Sequence, residues 1–292
     1  MIWLFRLMGK LSLRSNHVLG AALGWFIWCL SARQRRLMRA NLGLYGACRP
    51  ADDVAAISRR SIAEQGRGFT ELAIAWTAPV DRLYALVREC NGWEHIDAAR
   101  SAHKAIIFVT PHLGCYEIAG RYLESRIPVT ALYRPPKQRW LQQLMEAGRR
   151  RGGGSTAAAG SAGVRILLKT LKSGGNIIIL PDQVPGQGDG VWADFFGKPA
   201  YTMTLLPRLA QSTDATVLFF FAKRLPKGQG YSVHIQPMSE PFSANRDLAA
   251  RQINAMVEAQ ITAAPAQYLW AYNRYKHPAG APPPPGGSEE NA

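Results

Sequence analysis

Residues 105–117 read Ala-Ile-Ile-Phe-Val-Thr-Pro-His-Leu-Gly-Cys-Tyr-Glu, and this stretch indicates the class of the fold. The run 105–109 is short, apolar and rich in β-branched side chains, and a proline follows it closely, which is typical of a buried strand. His112 therefore falls where the strand ends and the chain turns, a position that often carries chemistry in α/β proteins. The alternative interpretation is a polar histidine that caps a loop.

His112 and Glu117 form a candidate catalytic pair. A neutral imidazole can accept a proton from a hydroxyl, and a nearby carboxylate can hold the ring in the required tautomer. Positions five apart point away from each other on a regular helix, so the two side chains converge only if His112 precedes a helix or lies in its first turn. Pro111 favours a helix start here, which would also offer free backbone N–H groups near the site.

The overall composition is that of a folded and strongly basic chain. Of its 292 residues, 47% are hydrophobic and 19% are charged, and the formal net charge is +15. That balance indicates an anionic partner, which is either nucleic acid, an acidic protein or an anionic membrane surface. The four cysteines are scattered without a CxxC pair, which argues against a zinc site or a disulfide framework and fits a reducing compartment.

Residues 1–32 are predicted to anchor the chain to a membrane. The run 18–30 carries no charge, and Arg33, Arg35 and Arg36 follow it. Because this run is shorter than the roughly 20 residues of a spanning helix, the anchor either tilts across the bilayer or lies in its interface. The arginines would face anionic lipid on the cytoplasmic side. A poor cleavage site argues against a signal peptide. The alternative is a buried core helix of a soluble protein.

Beyond the anchor, the pattern changes from helical over 33–100 to alternating strands and helices over 104–277. This alternation predicts an α/β fold with a mostly parallel central sheet flanked by helices, in one domain over 33–277. We expect a disordered, proline-rich tail at 278–292. The predicted strands are 105–109, 127–132, 176–180, 215–222 and 231–236, and the predicted helices are 115–125, 138–150, 161–173, 202–212 and 246–263.

Two further groups of polar residues follow predicted strands or helices. Asp182 and Gln183 come directly after the strand 176–180, where an acid and an amide can hydrogen-bond a substrate; the alternative is an Asx-turn in which Asp182 caps its own loop. Arg134 follows the strand 127–132, and Arg149 begins a run of three arginines. Arginine forks bind phosphates bidentately, although such a run is often a solvated helix face.

Residues 191–202 contain adjacent aromatic side chains followed by Gly-Lys-Pro. They form either an apolar wall with a basic rim or, as we favour, core around a turn. Other catalytic motifs are missing from the sequence: a GxSxG elbow, a P-loop, a dinucleotide-binding glycine motif after a strand, and a cluster with metal-ligand spacing. We expect no metal and no cofactor. The reaction class that remains is transfer of an already activated group to a hydroxyl, because this reaction needs only a base and a positioned donor.

In their order and spacing, the motifs resemble the bacterial lipid A biosynthesis acyltransferase family, the late acyltransferases of the lauroyl/myristoyl group. The resemblance covers nearly all of residues 1–277. It is carried by the anchor and by residues 39–42, Glu71, 112–117, 133–135, 148–149, 171–174, 181–183, 195–197, Thr202 and 270–275.

The resemblance implies a fold like that of glycerol-phosphate acyltransferases, anchored on the cytoplasmic face of the inner membrane. It implies an acyl-acyl carrier protein donor and a lipid A precursor as acceptor. His112 would be the general base and Glu117 its orienting partner, and Arg134, Arg149 and Asp182 match positions linked to substrate handling. Gln183 belongs to the same candidate substrate-binding set.

Two other readings of the sequence stay open. The same chemistry can act on another glycolipid, a phospholipid or an amino-acid lipid, or the chain can bind membrane lipid without catalysis. We expect no nucleic-acid partner, because the arginines cluster near strand ends and the anchor rather than in a basic stripe interleaved with exposed aromatic side chains.

Overall fold

The computed structural model describes residues 2–186 and 188–285. The strands in these ranges are β1 (Val87–Asn91), β2 (Ile106–Val109), β3 (Val129–Tyr133), β4 (Ser155–Ala158), β5 (Asn176–Ile179), β6 (Gly190–Phe195), β7 (Lys198–Met203), β8 (Thr216–Arg224) and β9 (Tyr231–Pro237). The α-helices are α1 (Ile2–Lys10), α2 (Leu13–Leu30), α3 (Ala32–Cys48), α4 (Val54–Thr77), α5 (Val80–Ala85), α6 (Trp93–Ser101), α7 (Tyr116–Glu124), α8 (Arg139–Arg150), α9 (Ser161–Lys172), α10 (Leu205–Thr213) and α11 (Arg246–Ala263).

Seven strands form one sheet in the order β1-β9-β8-β2-β5-β3-β4, and β6 and β7 form a separate antiparallel hairpin. Strands β8, β2, β5, β3 and β4 run parallel, β9 is antiparallel to β8, and β1 is parallel to β9. All four residues of β2 are buried, since helices cover both faces of a mostly parallel sheet and its central strands become continuous apolar runs. The predicted α/β fold is confirmed.

Each face of the sheet has its own hydrophobic core. On one face the core contains side chains of α3, α9, α10 and α11, such as Tyr45 and Leu167. On the other face it contains side chains of α4, α5, α6, α7 and α8, such as Trp76 and Ile118. The carboxyl ends of the central strands, which carry the candidate residues, therefore lie between two packed helical layers that hold them in place.

The sequence prediction missed the less apolar strands. Val87–Asn91 is a strand, so the prediction that 33–100 is helical is wrong there; it pairs with β9 at one edge of the sheet and leaves several side chains exposed. Ser155–Ala158 forms the opposite edge. Edge strands bury fewer side chains than central ones, so their sequences lack the continuous apolar run.

The predicted anchor region folds as two helices that pack against α4. Helix α1 ends at Lys10 and α2 begins at Leu13. Between them the Ser12 hydroxyl caps α2 by accepting a hydrogen bond from the backbone N–H of Ser15 at 3.1 Å. Helices α2 and α4 approach so closely that a Cβ atom added to Gly66 would lie 1.9 Å from the carbonyl oxygen of Gly20. Across the described residues, no helix has both the length and the apolar character that crossing a membrane requires.

Part of the C-terminal tail contacts the β6–β7 hairpin. Ala281 is buried, and the indole N–H of Trp192 donates to the carbonyl oxygen of Pro282 at 2.8 Å. The prediction of a disordered tail over 278–292 did not anticipate these contacts. Residues 286–292 lie outside the described residues.

Candidate active site

His112 and Asp182 meet at the carboxyl edge of the central sheet. Strands β2 and β5 are parallel neighbours, and each of the two residues follows the end of its strand by three positions. The Oδ1 atom of Asp182 lies 2.8 Å from Nδ1 of His112, and its Oδ2 atom accepts the backbone N–H of His112 at 2.8 Å. A carboxylate only accepts hydrogen bonds, so Nδ1 carries the proton and Nε2 keeps its lone pair.

The electrostatics of Asp182 support this assignment of the proton. Asp182 is only 3% exposed. Burial by itself raises the pKa of this carboxyl, but the charge and hydrogen bonds of His112 outweigh burial and lower the pKa below its ordinary value. Asp182 is therefore ionised at neutral pH and can stabilise an imidazolium on His112.

The free nitrogen of the imidazole has a second neighbour, Gln183. The side-chain amide nitrogen of Gln183 lies 3.2 Å from Nε2 of His112. The aromatic ring of Tyr116 packs edge-on against the imidazole, with 5.0 Å between ring centroids. The imidazole is thus held on both nitrogens and on one face, which restricts its rotation.

Glu117 forms no hydrogen bond or ion pair with His112, in contrast to the sequence hypothesis that it orients the imidazole. Its carboxylate forms an ion pair with the guanidinium of Arg149, and its Oε2 atom accepts the indole N–H of Trp76 at 3.0 Å. Burial raises the pKa of Glu117, but Arg149 and then Trp76 lower it overall. His112 precedes α7 as expected, yet Glu117, in the first turn of that helix, points to Arg149 of α8 and not to the imidazole.

The two predicted phosphate-binding arginines have different surroundings. Arg149 is mostly buried and bound to Glu117, and its Nη1 atom has no hydrogen-bond partner within the described part of the chain. Arg134 is exposed just after β3 and does not line the cavity beside His112. The structure therefore brings Arg149 close to Glu117 but places Arg134 apart from the His112–Asp182 pair.

A cavity of about 420 Å³ opens beside His112. One part of its lining is apolar and comes from α2, α4 and the C-terminal segment, with side chains such as Ile27, Leu72 and Leu269. Another part is polar and includes Glu64 and Gln267. Such a cavity can hold an apolar chain together with a polar head next to the imidazole.

The segment 267–272 connects the two loops that follow β2 and β5, a role that sequence reasoning did not predict. The backbone N–H of Leu269 donates to the carbonyl oxygen of His112 at 3.1 Å, and the hydroxyl of Tyr272 accepts the backbone N–H of Val184 at 3.0 Å. The buried amide of Asn41 donates to the carbonyl oxygen of Tyr272 at 2.8 Å. No local pattern signals these contacts, because the partners are far apart in sequence.

A buried ionic network links α2 to the sheet behind the cavity. The guanidinium of Arg224 donates to Glu71, which also contacts Nε2 of His17 at 2.6 Å and accepts the hydroxyl of Tyr231 at 2.8 Å. Burial raises the pKa of Glu71, but Arg224 and His17 lower it to about 2. Each member has a partner, as a buried charge requires, so the network holds α2 in a defined position.

The sequence of the whole folded region matches that of one known family. The family model described as bacterial lipid A biosynthesis acyltransferase matches residues 1–277. The chain belongs to this family. It is 29% identical over 272 residues to the lipid A biosynthesis lauroyltransferase of Escherichia coli strain K12, covering 90% of this chain and 86% of that protein.

Other relatives are named for the transfer of different acyl chains. The chain is 26% identical to the lipid A biosynthesis palmitoleoyltransferase of the same organism, covering 88% of this chain and 84% of that protein. It is 25% identical to the lipid A biosynthesis myristoyltransferase, covering 86% and 77%. Family membership supports an acyltransferase of lipid A biosynthesis and a lipid A precursor as acceptor.

Proposed function

We propose that this protein moves a fatty acyl chain from acyl-acyl carrier protein to a hydroxyl of a lipid A precursor, with His112 as the general base. The observation that carries the proposal is the hydrogen-bonded His112–Asp182 pair at the wall of a partly apolar cavity. Asp182 takes the orienting role that the sequence hypothesis assigned to Glu117. Glu117 also lines the cavity, where it binds Arg149 and Trp76.

The proposed reaction proceeds by direct attack of the acceptor oxygen. Nε2 of His112 removes the proton from the acceptor hydroxyl, and the oxygen attacks the thioester carbonyl. When the intermediate collapses, the carbon–sulfur bond breaks and the imidazolium returns the proton to the leaving thiolate. Asp182 stabilises the imidazolium in between.

The nearby cysteine argues against a covalent acyl-enzyme. Cys115 borders the cavity, but burial and the adjacent Glu71 raise the pKa of its thiol well above the ordinary value. A thiol that stays protonated at neutral pH is a poor nucleophile. Direct transfer therefore fits the site better than a two-step path through a cysteine thioester.

We propose that α1 and α2 dock the protein on the cytoplasmic face of the inner membrane. Large apolar side chains on these helices are exposed, among them Trp3 at 74%, Leu30 at 70% and Phe26 at 62%. Arg33 and Arg36 are exposed at the start of α3. Apolar side chains beside arginines suit the interface of an anionic bilayer, and α2 also lines the cavity, so a lipid acceptor has a short path to His112.

The donor is proposed from charge complementarity. A net charge of +15 favours encounter with an acidic carrier protein. The rate with a carrier-bound donor should therefore fall as ionic strength rises, because surface charges are screened within about 10 Å at 0.1 M salt. A rate that does not change with salt would contradict steering by charge.

The function is tested by expressing the chain in a bacterial strain that lacks its own late acyltransferases and measuring the mass of lipid A. We expect lipid A to gain the mass of one acyl chain. This gain should be lost with His112→Ala, since a positioned base raises the reaction rate by about 10²–10⁴-fold. His95→Ala, on α6 away from the cavity, is the matched control. If lipid A is unchanged and a glycerolipid or amino-acid lipid is newly acylated, that lipid is the acceptor instead. Activity in His112→Ala would show that His112 is not the general base.

A further inference from the structure

The backbone N–H groups of residues 112–115 are already paired. His112 donates to Asp182, Leu113 to the carbonyl oxygen of Pro111, Gly114 to that of Gln267, and Cys115 to that of Ala222. Acyl transfer develops negative charge on the carbonyl oxygen under attack, and enzymes usually place hydrogen-bond donors at that oxygen. The loop that carries the base therefore has no backbone N–H left for this purpose.

Gln183 places a side-chain donor beside the base. Its amide nitrogen lies 3.2 Å from Nε2 of His112, the atom that must receive the proton from the acceptor hydroxyl. The residues on both sides of Gln183 are tied down: Asp182 binds His112 twice, and the N–H of Val184 donates to Tyr272. The backbone around Gln183 is thus fixed, while its side chain is only partly buried and can rotate.

An acceptor hydroxyl has to lie within about 2.6–3.2 Å of Nε2 to lose its proton. The Gln183 amide occupies that position in the structure. The hydroxyl and the amide cannot both bind the single lone pair of Nε2, so acceptor binding frees the amide N–H. In the tetrahedral intermediate the charged oxygen is two bonds from the acceptor oxygen, because both are bonded to the former carbonyl carbon, so the freed donor has a charged acceptor within its reach.

We propose that Gln183 is a catalytic residue that changes its hydrogen-bond partner during the reaction. In the free protein its amide N–H binds Nε2 of His112, the nitrogen that Asp182 leaves unprotonated by accepting the Nδ1 proton. When the acceptor hydroxyl takes its place, the same N–H donates to the thioester carbonyl oxygen and stabilises the charge that develops there. This inference rests on the proposed acyl transfer, and Gln183 itself exchanges no proton.

The kinetic test compares Gln183→Met, which keeps the length of the side chain but cannot donate, with the wild type. Loss of one donor to the oxyanion should lower kcat by about 10²–10³-fold and leave KM nearly unchanged. Gln183→Glu should be at least as slow, because it brings a negative charge towards the developing oxyanion. Gln138→Met, at the exposed start of α8, is the control and should keep wild-type kcat.

A second measurement does not depend on acyl transfer. Diethyl pyrocarbonate modifies an unprotonated imidazole nitrogen, and mass spectrometry measures the modification of His112. Gln183→Ala should speed this modification by about 2- to 10-fold, the factor that corresponds to the loss of one net hydrogen bond. Asp182 remains in place in this variant, so the tautomer of His112 is retained.

The outcomes separate the two proposals. If Gln183→Met keeps the wild-type kcat, the inference is overturned. The N–H groups in the first turn of α7 would then be the candidates that stabilise the oxyanion. Equal modification rates in wild type and Gln183→Ala would overturn the resting contact. If the wild type transferred no acyl chain to any lipid, the proposed function itself would fail, and the modification rates would still decide whether Gln183 covers Nε2.

Discussion

Asp182→Asn is the substitution that most directly tests which carboxylate serves His112. In the wild type, Asp182 accepts two hydrogen bonds of 2.8 Å, one from the backbone N–H of His112 and one from Nδ1. An asparagine can keep the first with its oxygen, but its NH₂ group then faces Nδ1. Since Nδ1 must accept this hydrogen bond, the proton of the neutral imidazole moves to Nε2. The nitrogen that should act as the base then no longer has a lone pair.

The size of the effect follows from this change of tautomer. The same replacement in the triads of serine proteases lowers kcat by about 10⁴-fold. That factor corresponds to about 5 kcal/mol of transition-state stabilisation. Protein stability should change much less, because asparagine has nearly the same shape and keeps one of the two hydrogen bonds.

Glu117→Gln is the matched comparison, because it removes the other candidate carboxylate. Glu117 is 4% exposed, and its ion pair is with Arg149. Breaking a buried ion pair costs about 3–5 kcal/mol of unfolding free energy, so this variant should melt at a lower temperature. The imidazole tautomer is unaffected, and we expect kcat per folded molecule to fall far less than in Asp182→Asn.

The assay is single-turnover transfer from a radiolabelled acyl-carrier-protein donor, with circular dichroism melts of each variant. If Asp182→Asn retains kcat within tenfold of the wild type, Asp182 does not set the tautomer of the base. If folded Glu117→Gln loses as much activity as Asp182→Asn, Glu117 is the residue that orients the base.

Three further predictions concern stability and the C-terminal tail. Burial raises the pKa of Glu124 to about 7, so this carboxyl is protonated more readily in the folded than in the unfolded chain. The unfolding free energy should therefore fall by about 3 kcal/mol as pH rises from 4.5 to 7.5. Urea titrations of Glu124→Gln should lack this fall. Gly66→Ala should lower the melting temperature by several degrees because its Cβ would overlap the backbone of α2, whereas Gly43→Ala, with no atom within 4 Å, should not. Deleting residues 277–292 should lower kcat because Ala281 packs with Val184 beside Gln183, and deleting only 286–292 should leave kcat unchanged.

Each of these predictions has an outcome that would contradict it. Parallel stability curves of wild type and Glu124→Gln between pH 4.5 and 7.5 would mean that this carboxyl does not titrate there. Equal melting temperatures for the two glycine variants would show that α2 can shift away from α4 at little cost. Wild-type kcat after the longer deletion would mean that the tail contacts do not position the loop at Gln183.

The predicted strands were those with the strongest sequence signal. Ile106–Val109 and Asn176–Ile179 are buried between helical layers, and such burial demands the continuous apolar runs that the sequence shows. The strand Val87–Asn91 was missed because an edge strand with exposed arginine and glutamate lacks that run. The turn at 196–197 with buried aromatic side chains was predicted, but the strands β6 and β7 beside it were not; Phe196 has φ 47°, a conformation that is uncommon for an aromatic residue.

The sequence also identified His112, Asp182 and Gln183 separately as polar residues at strand ends, but it paired the histidine with Glu117, whereas the structure places Asp182 against it. Spacing along the chain favoured Glu117, since it is close in sequence and Asp182 is 70 positions away. A local pattern contains no information on which strands become neighbours in a sheet. That order is decided by the packing of the whole chain.

The sequence by itself therefore determined the α/β class, the central strands and the histidine at the end of the first central strand. These features follow from hydrophobic periodicity, which is a local property of the chain. The tertiary structure alone decided that β2 lies beside β5, and hence that Asp182 and Gln183 hold the two nitrogens of His112. A hydrogen bond forms only between groups about 3 Å apart in space, and the sheet order sets that distance.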